Sequence, residues 1–372
     1  MTDTAVPRLP SQAEMDGSIK LITDNAPRIF LWDYDRSWDQ LVTLYNKAMA
    51  SQWNSVTDLD WATEVDPERL VESSPQQNLT VELAREASKI PGSPFASWTE
   101  KEFTALGIEL LKGSLSQFMH GEQGAMMVAA KIVETVPWID AKYYASTQTM
   151  DEARHTEVFA KYLHTKLGDA YPMSPFLEQQ IDDLISDSRW DIAYLGMQIV
   201  IESLALAAFG SMLRATEEPL LKKLLRYVMA DEARHVAFGV LSLAEYYEEL
   251  SSAELAERQD FLLENTVRSR RRSTTPEVWE RLGTTEEAVL PSLVEAAGKL
   301  GTNQFAVFQR SFFAKLVPNV RKLGLLDAND GHLRKEWEAV GMLEFEFADD
   351  TGSDYEAYDA VAEDRAAAAS NT

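Results

Sequence analysis

The chain of 372 residues contains no cysteine. This absence excludes disulfides, thiolate nucleophiles, iron–sulfur clusters and zinc–thiolate sites in one step. Without cysteine the sequence carries no mark of an oxidising or a reducing compartment, and the cytoplasm is the default expectation.

Basic residues are also scarce, with 35 lysines and arginines against 60 aspartates and glutamates and a formal net charge of -25. Such a surface repels nucleic-acid phosphates and anionic lipid headgroups. We therefore expect neither nucleic acid nor a membrane among the partners of the protein. The first twenty residues lack an apolar stretch, so the sequence predicts no signal or transit peptide.

One long hydrophobic run, residues 192–213, approaches the length of about 20 residues that spans a bilayer. It carries Glu202 near its middle and lacks flanking clusters of arginine or lysine. An unpaired carboxylate at that depth costs roughly 2.5–3.5 kcal/mol on insertion scales. The run is therefore interpreted as a fully buried helix of a soluble bundle.

Glycine and proline are few, at 17 and 14 residues. Apolar residues recur mostly at intervals of three and four, without sustained two-residue alternation, and this pattern predicts an all-α protein. Helix-breaking residues delimit four long helical segments, with one longer crossing near 168–186. Segments of this length suit a four-helix bundle, and they are predicted at 98–136, 138–167, 187–215 and 218–248.

The sequence predicts a single helical domain over residues 19–345. Its bundle core covers about 98–250, and helices at 19–97 and 251–345 flank the core and bury its outer faces. Residues 1–18 are expected to be a flexible N-terminus, and residues 346–372 an acidic, poorly packed tail.

The pentapeptide DEARH occurs twice, at 151–155 and 231–235, with an offset of 80 residues. The same offset separates Glu122 from Glu202, and each of these precedes the glutamate of its own DEARH copy by 30 residues. This register indicates an internal repeat of a helix pair. The repeat yields two triads, which are Glu122, Glu152 and His155 in the first copy and Glu202, Glu232 and His235 in the second.

Within each DEARH copy, glutamate and histidine stand at i and i+3 and so share one helix face. The two isolated glutamates lie in apolar surroundings. The run GAMMVAA (124–130) follows Glu122 after one glutamine, and Glu202 is the one charged residue between positions 195 and 213. Four buried, ionised carboxylates would each cost several kcal/mol unless cations compensated them. We therefore predict that the six side chains of the two triads bind two metal ions.

The predicted ligands are carboxylates and imidazoles without sulfur. This donor set favours iron or manganese over a structural zinc site and over calcium, which takes oxygen ligands alone. We expect two iron ions, with one manganese and one iron as the alternative.

The core resembles the ferritin-like non-heme di-iron carboxylate superfamily, above all its O2-activating members: monooxygenase hydroxylase subunits, acyl-carrier-protein desaturases and ribonucleotide reductase small-subunit-like oxidases. The two DEARH copies carry the resemblance. It implies that each triad binds mainly one metal and that Glu152 and Glu232 bridge the two. It also implies an outer shell that orients the histidine rings and offsets charge, formed by Asp151, Arg154, Asp231 and Arg234.

The resemblance implies an oxidoreductase, a di-iron oxygenase or oxidase with dioxygen as co-substrate. Its substrate would be a small, largely apolar organic molecule, changed by hydroxylation, N-oxygenation, desaturation or a related oxidation. The chain has no flavin, nicotinamide or iron–sulfur motif, so electrons are expected from a separate reductase, a ferredoxin or the substrate itself. Assembly into a homodimer stays open.

The sequence departs from the motifs of the individual subfamilies at several positions, so two alternative functions stay open. Hydroxylases and desaturases place a threonine where this chain has Ala205 and Leu206, and arylamine N-oxygenases add a histidine where Val228 stands. Reductase small subunits commonly have a radical tyrosine at the position of Phe159, although members with phenylalanine there use a mixed manganese and iron site. The alternatives are a reductase small-subunit-like radical protein and a ferroxidase or iron-handling protein.

Residues one helical turn from the ligands, on the same helix faces, are expected to line a mostly apolar substrate pocket. We expect Gln148 and Gln198 to orient the substrate by hydrogen bonds. The predicted pocket residues are Phe118, Met126, Gln148, Phe159, Gln198, Leu206 and Val228. No catalytic residue is expected beyond the metal ligands, and His120, His164 and His332 are expected to have no part in the site.

Overall fold

Every regular element in the part of the chain that the structure describes is a helix, which confirms the all-α prediction. The structure is a computed structural model, and it describes residues 22, 24, 26–72, 79–269, 276–301, 304–348, 355 and 359–370. The predicted flexible N-terminus, residues 1–18, lies outside this part.

Four long helices form the core of the protein, a four-helix bundle. Three helices precede them: α1 (Asp39–Ala50), α2 (Pro67–Glu72) and α3 (Leu79–Ala87). The bundle consists of α4 (Glu100–Thr135), α5 (Ile139–Tyr162, with a wide final turn at Leu163–Leu167), α7 (Trp190–Ala215) and α8 (Pro219–Glu248). These helices begin and end within three residues of the predicted segments. The predicted crossing contains a further helix, α6 (Pro175–Ser186).

The starts of these helices follow from local chemistry. Thr99 and Glu102 form a reciprocal capping box at the start of α4, which satisfies two backbone N–H groups that the helix leaves free. Glu218 accepts hydrogen bonds from the first amides of α8, and Pro219 fixes the first helical residue. Ser174 and Pro175 do the same for α6.

The bundle closes because its helices are apolar on the faces that meet. Helix α4 packs along α5, α7 packs along α8, and α5 packs against α8. Helix α7 is the one helix among the described residues long and apolar enough to cross a membrane, yet 78% of its most apolar stretch is buried within the protein. This burial agrees with the interpretation of the run as a core helix.

The remaining helices cover the outside of the bundle. Helix α1 packs on α5 and α8, and the later helices pack on α7, on α3 and on one another. They are α9 (Ser252–Ser269), α10 (Pro276–Arg281), α11 (Glu286–Leu300), α12 (Gln304–Lys322), α13 (Ala328–Ala339) and α14 (Ala360–Ser370).

Helix α14 corrects the expectation of a poorly packed tail. Ala360 and Val361 are buried, and the hydroxyl of Tyr227 on α8 donates a hydrogen bond to Asp364 over 2.9 Å. Arg226 pairs with the same aspartate over 3.2 Å. The acidic composition suggested a solvated segment, but these acids have basic and phenolic partners on α8 that composition does not reveal.

Helix α7 contains a wide, π-helical turn at Leu195–Ile201, directly before Glu202. Turns of this kind hold an extra residue and occur frequently at functional sites. The adjacent helix α8 approaches this turn closely, because Gly239 faces Gln198 without a side chain between them.

We expect Gly239→Ala to destabilise the protein, because the added Cβ would lie 2.4 Å from Cβ of Gln198. Overpacking of this kind costs about 1–3 kcal/mol. Gly121→Ala is the matched control, since no atom lies within 4 Å of its added Cβ and alanine favours a helix interior by about 0.5–1 kcal/mol. Chemical denaturation of the metal-free variants gives both values, and equal stabilities would contradict the close approach.

Candidate metal centre

The six side chains of the two triads meet inside the bundle. Glu122 comes from α4, Glu202 from α7, and the two Glu-x-x-His pairs from α5 and α8. All six are at most 5% exposed. Their ligand atoms form two groups, each with all atoms within 4.8 Å of one another: Glu122, Glu152, His155 and Glu232 in one, and Glu152, Glu202, Glu232 and His235 in the other.

Two glutamates belong to both groups. Nδ1 of His155 lies 3.3 Å from one oxygen of Glu152 and 3.0 Å from one oxygen of Glu232. Nδ1 of His235 lies 3.2 Å and 2.7 Å from the other oxygens of the same two carboxylates. Each of these glutamates therefore presents one oxygen to each side, which is the arrangement of a bridging ligand.

The other two glutamates lie at opposite ends of the cluster. An oxygen of Glu122 is 3.3 Å from Nδ1 of His155, and an oxygen of Glu202 is 3.7 Å from Nδ1 of His235. Each end glutamate therefore accompanies the histidine of its own triad. The two shared carboxylates lie between these ends.

The aspartates of the DEARH copies hold the histidines in a crossed arrangement. Nε2 of His155 lies 3.0 Å from Asp231, and Nε2 of His235 lies 3.4 Å from Asp151. Each aspartate thus contacts the histidine of the other copy. A carboxylate at Nε2 favours the tautomer that leaves the lone pair of Nδ1 free to face the cluster.

The outer shell is balanced in charge by itself. Arg154 donates to Asp151 over 2.6 Å and to Asp231 over 2.8 Å, and Arg234 pairs with Asp231. Two arginines therefore offset two aspartates. The four buried glutamates are left without compensating charge from this shell.

Two outer residues escaped the sequence analysis. The indole N–H of Trp53 donates to Asp231 over 2.8 Å. The side chain of Gln52 donates to Asp151 over 3.0 Å and accepts from Arg154 over 2.6 Å. Both residues lie just after α1. The tryptophan was the available sequence signal, but no spacing linked it to the DEARH copies.

The electrostatics of the cluster fit a cation pair. Burial, together with the Glu232 carboxylate, raises the pKa of Glu122 and of Glu202 well above their ordinary value. Burial alone would lower the pKa of His155 and His235, but the neighbouring glutamates raise it well above the ordinary range. Without cations the site therefore retains protons, and two divalent ions would supply the positive charge that four carboxylates require.

One oxygen of each shared carboxylate also makes no hydrogen bond within the described part of the chain. They are Oε2 of Glu152 and Oε1 of Glu232, and both are fully buried. Both face Nδ1 of His155, at 3.3 Å and 3.0 Å, without the alignment of a hydrogen bond. Buried polar atoms without a hydrogen bond are rare and costly, and coordination of a metal would satisfy them. The residues present thus fit a pair of metal ions.

The two sides of the cluster have different surroundings. The amide of Gln148 donates to Glu152 over 3.0 Å and to Glu202 over 3.1 Å, and the amide of Gln198 donates to Gln148 over 2.8 Å. This differs from the expectation that both glutamines orient a substrate, since the Gln148 amide is already taken by two predicted ligands. The internal repeat places apolar Val228 at the position equivalent to Gln148.

Three phenylalanine rings lie on the helix faces beside the Glu122 end. Phe118 and Phe159 are 5.8 Å apart between ring centroids, and Phe209 lies 4.7 Å from Phe118 and 5.7 Å from Phe159. Phe209 was not predicted, although it follows Glu202 by seven residues and so shares its helix face. Of the other predicted pocket residues, Leu206 and Val228 are buried and Met126 is half-buried.

The remaining histidines lie outside both ligand groups. Nε2 of His120 lies 2.9 Å from the carbonyl oxygen of Tyr171, His332 lies 3.7 Å from Asp260, and His164 is exposed.

Comparisons with known proteins find similarity in solved structures alone. No protein-family model matches the chain, and no curated protein matches it. A variant of R2-like ligand-binding oxidase with an anaerobically reconstituted Mn/Fe cofactor is 15% identical, with a TM-score of 0.47 over 78% of this chain and 94% of that chain. The same oxidase with an aerobically reconstituted metal cofactor after photoconversion is 14% identical, with a TM-score of 0.43 over 79% and 93%. Likenesses at this level leave the function to be argued from the residues of the chain itself.

We expect Arg154→Met to destabilise the metal-free protein by about 3–5 kcal/mol, because it leaves buried carboxylates without their partner. Arg226→Met is the control: its ion pairs with α14 are near the surface, and loss of such pairs costs at most about 1 kcal/mol. The two arginine side chains are 8% and 35% exposed. Urea unfolding measures both changes, and similar losses would show that the outer shell is not a buried ion-pair network.

Proposed function

We propose that the protein is an oxidoreductase that uses a pair of metal ions to activate dioxygen and oxidise a small, largely apolar organic substrate. The observation that carries the proposal is the convergence of four glutamates and two histidines in the bundle, with two carboxylates shared between the two ligand groups. One glutamate from each of two helices and Glu-x-x-His from each of the other two is the ligand pattern of di-iron and di-manganese carboxylate bundles.

The donor set supports two iron ions, or one manganese and one iron. Glu122, Glu152, His155 and Glu232 would hold one ion, and Glu152, Glu202, Glu232 and His235 the other. Carboxylate and imidazole ligands suit both metals. When bound, such a pair supplies the electrons and the coordination positions through which dioxygen is activated.

The residues around the ligands orient the site and keep it dry. Asp151 and Asp231 hold the histidine rings, and Gln148 fixes the carboxylate of Glu202. The phenylalanines at the Glu122 end provide an apolar surface, which supports an apolar substrate on that side of the cluster. Exclusion of water by these rings protects reactive species from side reactions.

Turnover of an oxygenase requires electrons from outside the chain. We propose a separate reductase or a ferredoxin as the donor, with the substrate itself as the other source. Two other functions remain as outcomes of the tests below: iron oxidation for storage, and generation of a stable protein radical as in reductase small subunits.

We expect the wild-type protein, loaded with iron without oxygen, to hold about two metal ions per chain. Glu122→Gln removes a ligand from one group and should lower the content to about one ion, whereas Glu152→Gln removes a shared ligand and should lower both occupancies. Glu134→Gln, an exposed position on the same helix as Glu122, is the control. Elemental analysis gives the content, and equal losses in the two ligand variants would contradict the sharing of Glu152.

The reduced, iron-loaded protein should consume dioxygen and show a transient visible absorption, and Glu152→Gln should abolish both. An oxygen electrode and stopped-flow spectroscopy measure these responses. Continued iron oxidation to a mineral without substrate would favour iron handling, and a long-lived organic radical would favour the reductase-like alternative. A metal-loaded protein that takes up no dioxygen would refute the proposed function.

A further inference from the structure

A row of aromatic rings leads from the second histidine of the metal centre to the protein surface. Each ring lies 4.4–6.0 Å from at least one other ring of the row between centroids, and the row branches at Phe238 and at Trp190. We call this row the aromatic ladder, and its members are Phe238, Tyr144, Tyr194, Trp190, Tyr246, Trp138 and Trp38.

The inner end of the ladder lies beside the ligands. Phe238 follows His235 by three residues on α8, so the two side chains share one helix face about one turn apart. The Phe238 ring lies 4.4 Å from Tyr144 and 4.9 Å from Tyr194. All three rings are fully buried.

Tyr144 is close enough to the centre for His235 and Arg234 to act on its hydroxyl electrostatically. This hydroxyl is buried and has no hydrogen-bond partner within the described residues. Tyr194, by contrast, pairs its hydroxyl with Ser242 over 2.8 Å. The inner ladder therefore lies in the surroundings of the second histidine.

The outer end of the ladder reaches solvent. Trp190 lies 6.0 Å from Tyr194, 4.8 Å from Tyr246 and 5.3 Å from Trp138. Trp138 lies 5.4 Å from Trp38. These four outer rings are only partly buried. The ladder thus joins the interior beside the cluster to water.

Aromatic pairs at these distances are ordinary packing. Tryptophan and tyrosine are also easily oxidised side chains, and this chain has no cysteine that could be oxidised in their place. The rate of electron transfer falls steeply with distance. Electrons therefore pass much faster between rings in contact than between separated rings. On the basis of the proposed function, we propose that the aromatic ladder carries electrons from its outer end to the metal centre.

The step balances as a one-electron oxidation. When the oxidised centre has no substrate, one electron leaves the indole of Trp190 and passes through Tyr194 and Phe238 to reduce the centre. The indole proton goes to water at the surface. A soluble one-electron donor of the ascorbate class then returns one electron and one proton to the indole. Dioxygen, acting through the centre, is the terminal oxidant.

The experiment exposes the reduced, iron-loaded full chain to dioxygen without substrate, records oxygen uptake, and locates oxidised side chains by peptide mass spectrometry. We expect oxidation at Trp190, Trp138 and Trp38 to exceed that at Trp98 several-fold, and ascorbate to suppress it. Trp98 is the internal control, because it is also half-buried but packs in a separate cluster with Phe95 and Phe103.

Two variants test the path itself. Phe238→Leu interrupts the inner end and should lower oxidation of all outer rings several-fold. Trp190→Phe, a milder change near the surface, should lower it at Trp138 and Trp38. Trp98→Phe, the matched control, should leave the pattern unchanged. Circular dichroism and metal content check that each variant is folded and loaded.

Failure of the ladder and failure of the proposed function give different results. If the protein takes up oxygen but side chains are oxidised in proportion to their exposure, the ladder proposal is wrong and the proposed function stands. Oxidation would then be highest at Trp32, whose side chain is 85% exposed. Oxidation confined to Trp53, beside the other histidine, would also overturn the ladder alone. Absence of oxygen uptake in loaded protein would overturn the proposed function and the ladder with it.

Discussion

The burial of four carboxylates in one small volume is the constraint on which the rest of the structure depends. Glu122, Glu152, Glu202 and Glu232 lie in the bundle with almost no access to water, and isolated charges there would cost several kcal/mol each. The outer aspartates and arginines cannot relieve this cost, because they neutralise one another. In the metal-free site, protons retained by Glu122, Glu202 and the two histidines lower this cost. A pair of metal cations would take the place of these protons.

Much of the bundle could be predicted from the sequence, and so could the six side chains that the structure brings together. The predicted helix boundaries lie close to those of the structure because helix-breaking residues mark them, as at Pro219. These six side chains could be found because a repeat with a constant offset of 80 residues fixes which glutamate belongs to which histidine. The isolated Glu202 in an apolar helix was informative because burial of a carboxylate without a compensating partner is costly.

The rest depends on contacts between segments far apart in the chain. The contact between Asp231 and His155 joins the two motif copies. The spacing of residues within one helix cannot predict a contact between two helices. Trp53 reaches Asp231 across 178 residues. Gln148 was predicted to contact a substrate because it shares a helix face with the ligands. Its partner on that face is Glu202, which is 54 residues away and which only the assembled bundle brings near. The packed tail helix was missed for the same reason.

The crossed pairing has a consequence for the origin of the site. Each ligand group takes three residues from one half of the internal repeat and one from the other. Each histidine also contacts an aspartate of the opposite half. A lone helical hairpin could therefore not build either half-site. Two identical hairpins related by a twofold axis could build both, so the chain has the pattern of two such hairpins joined in one polypeptide, and its halves differ at Gln148 and Val228.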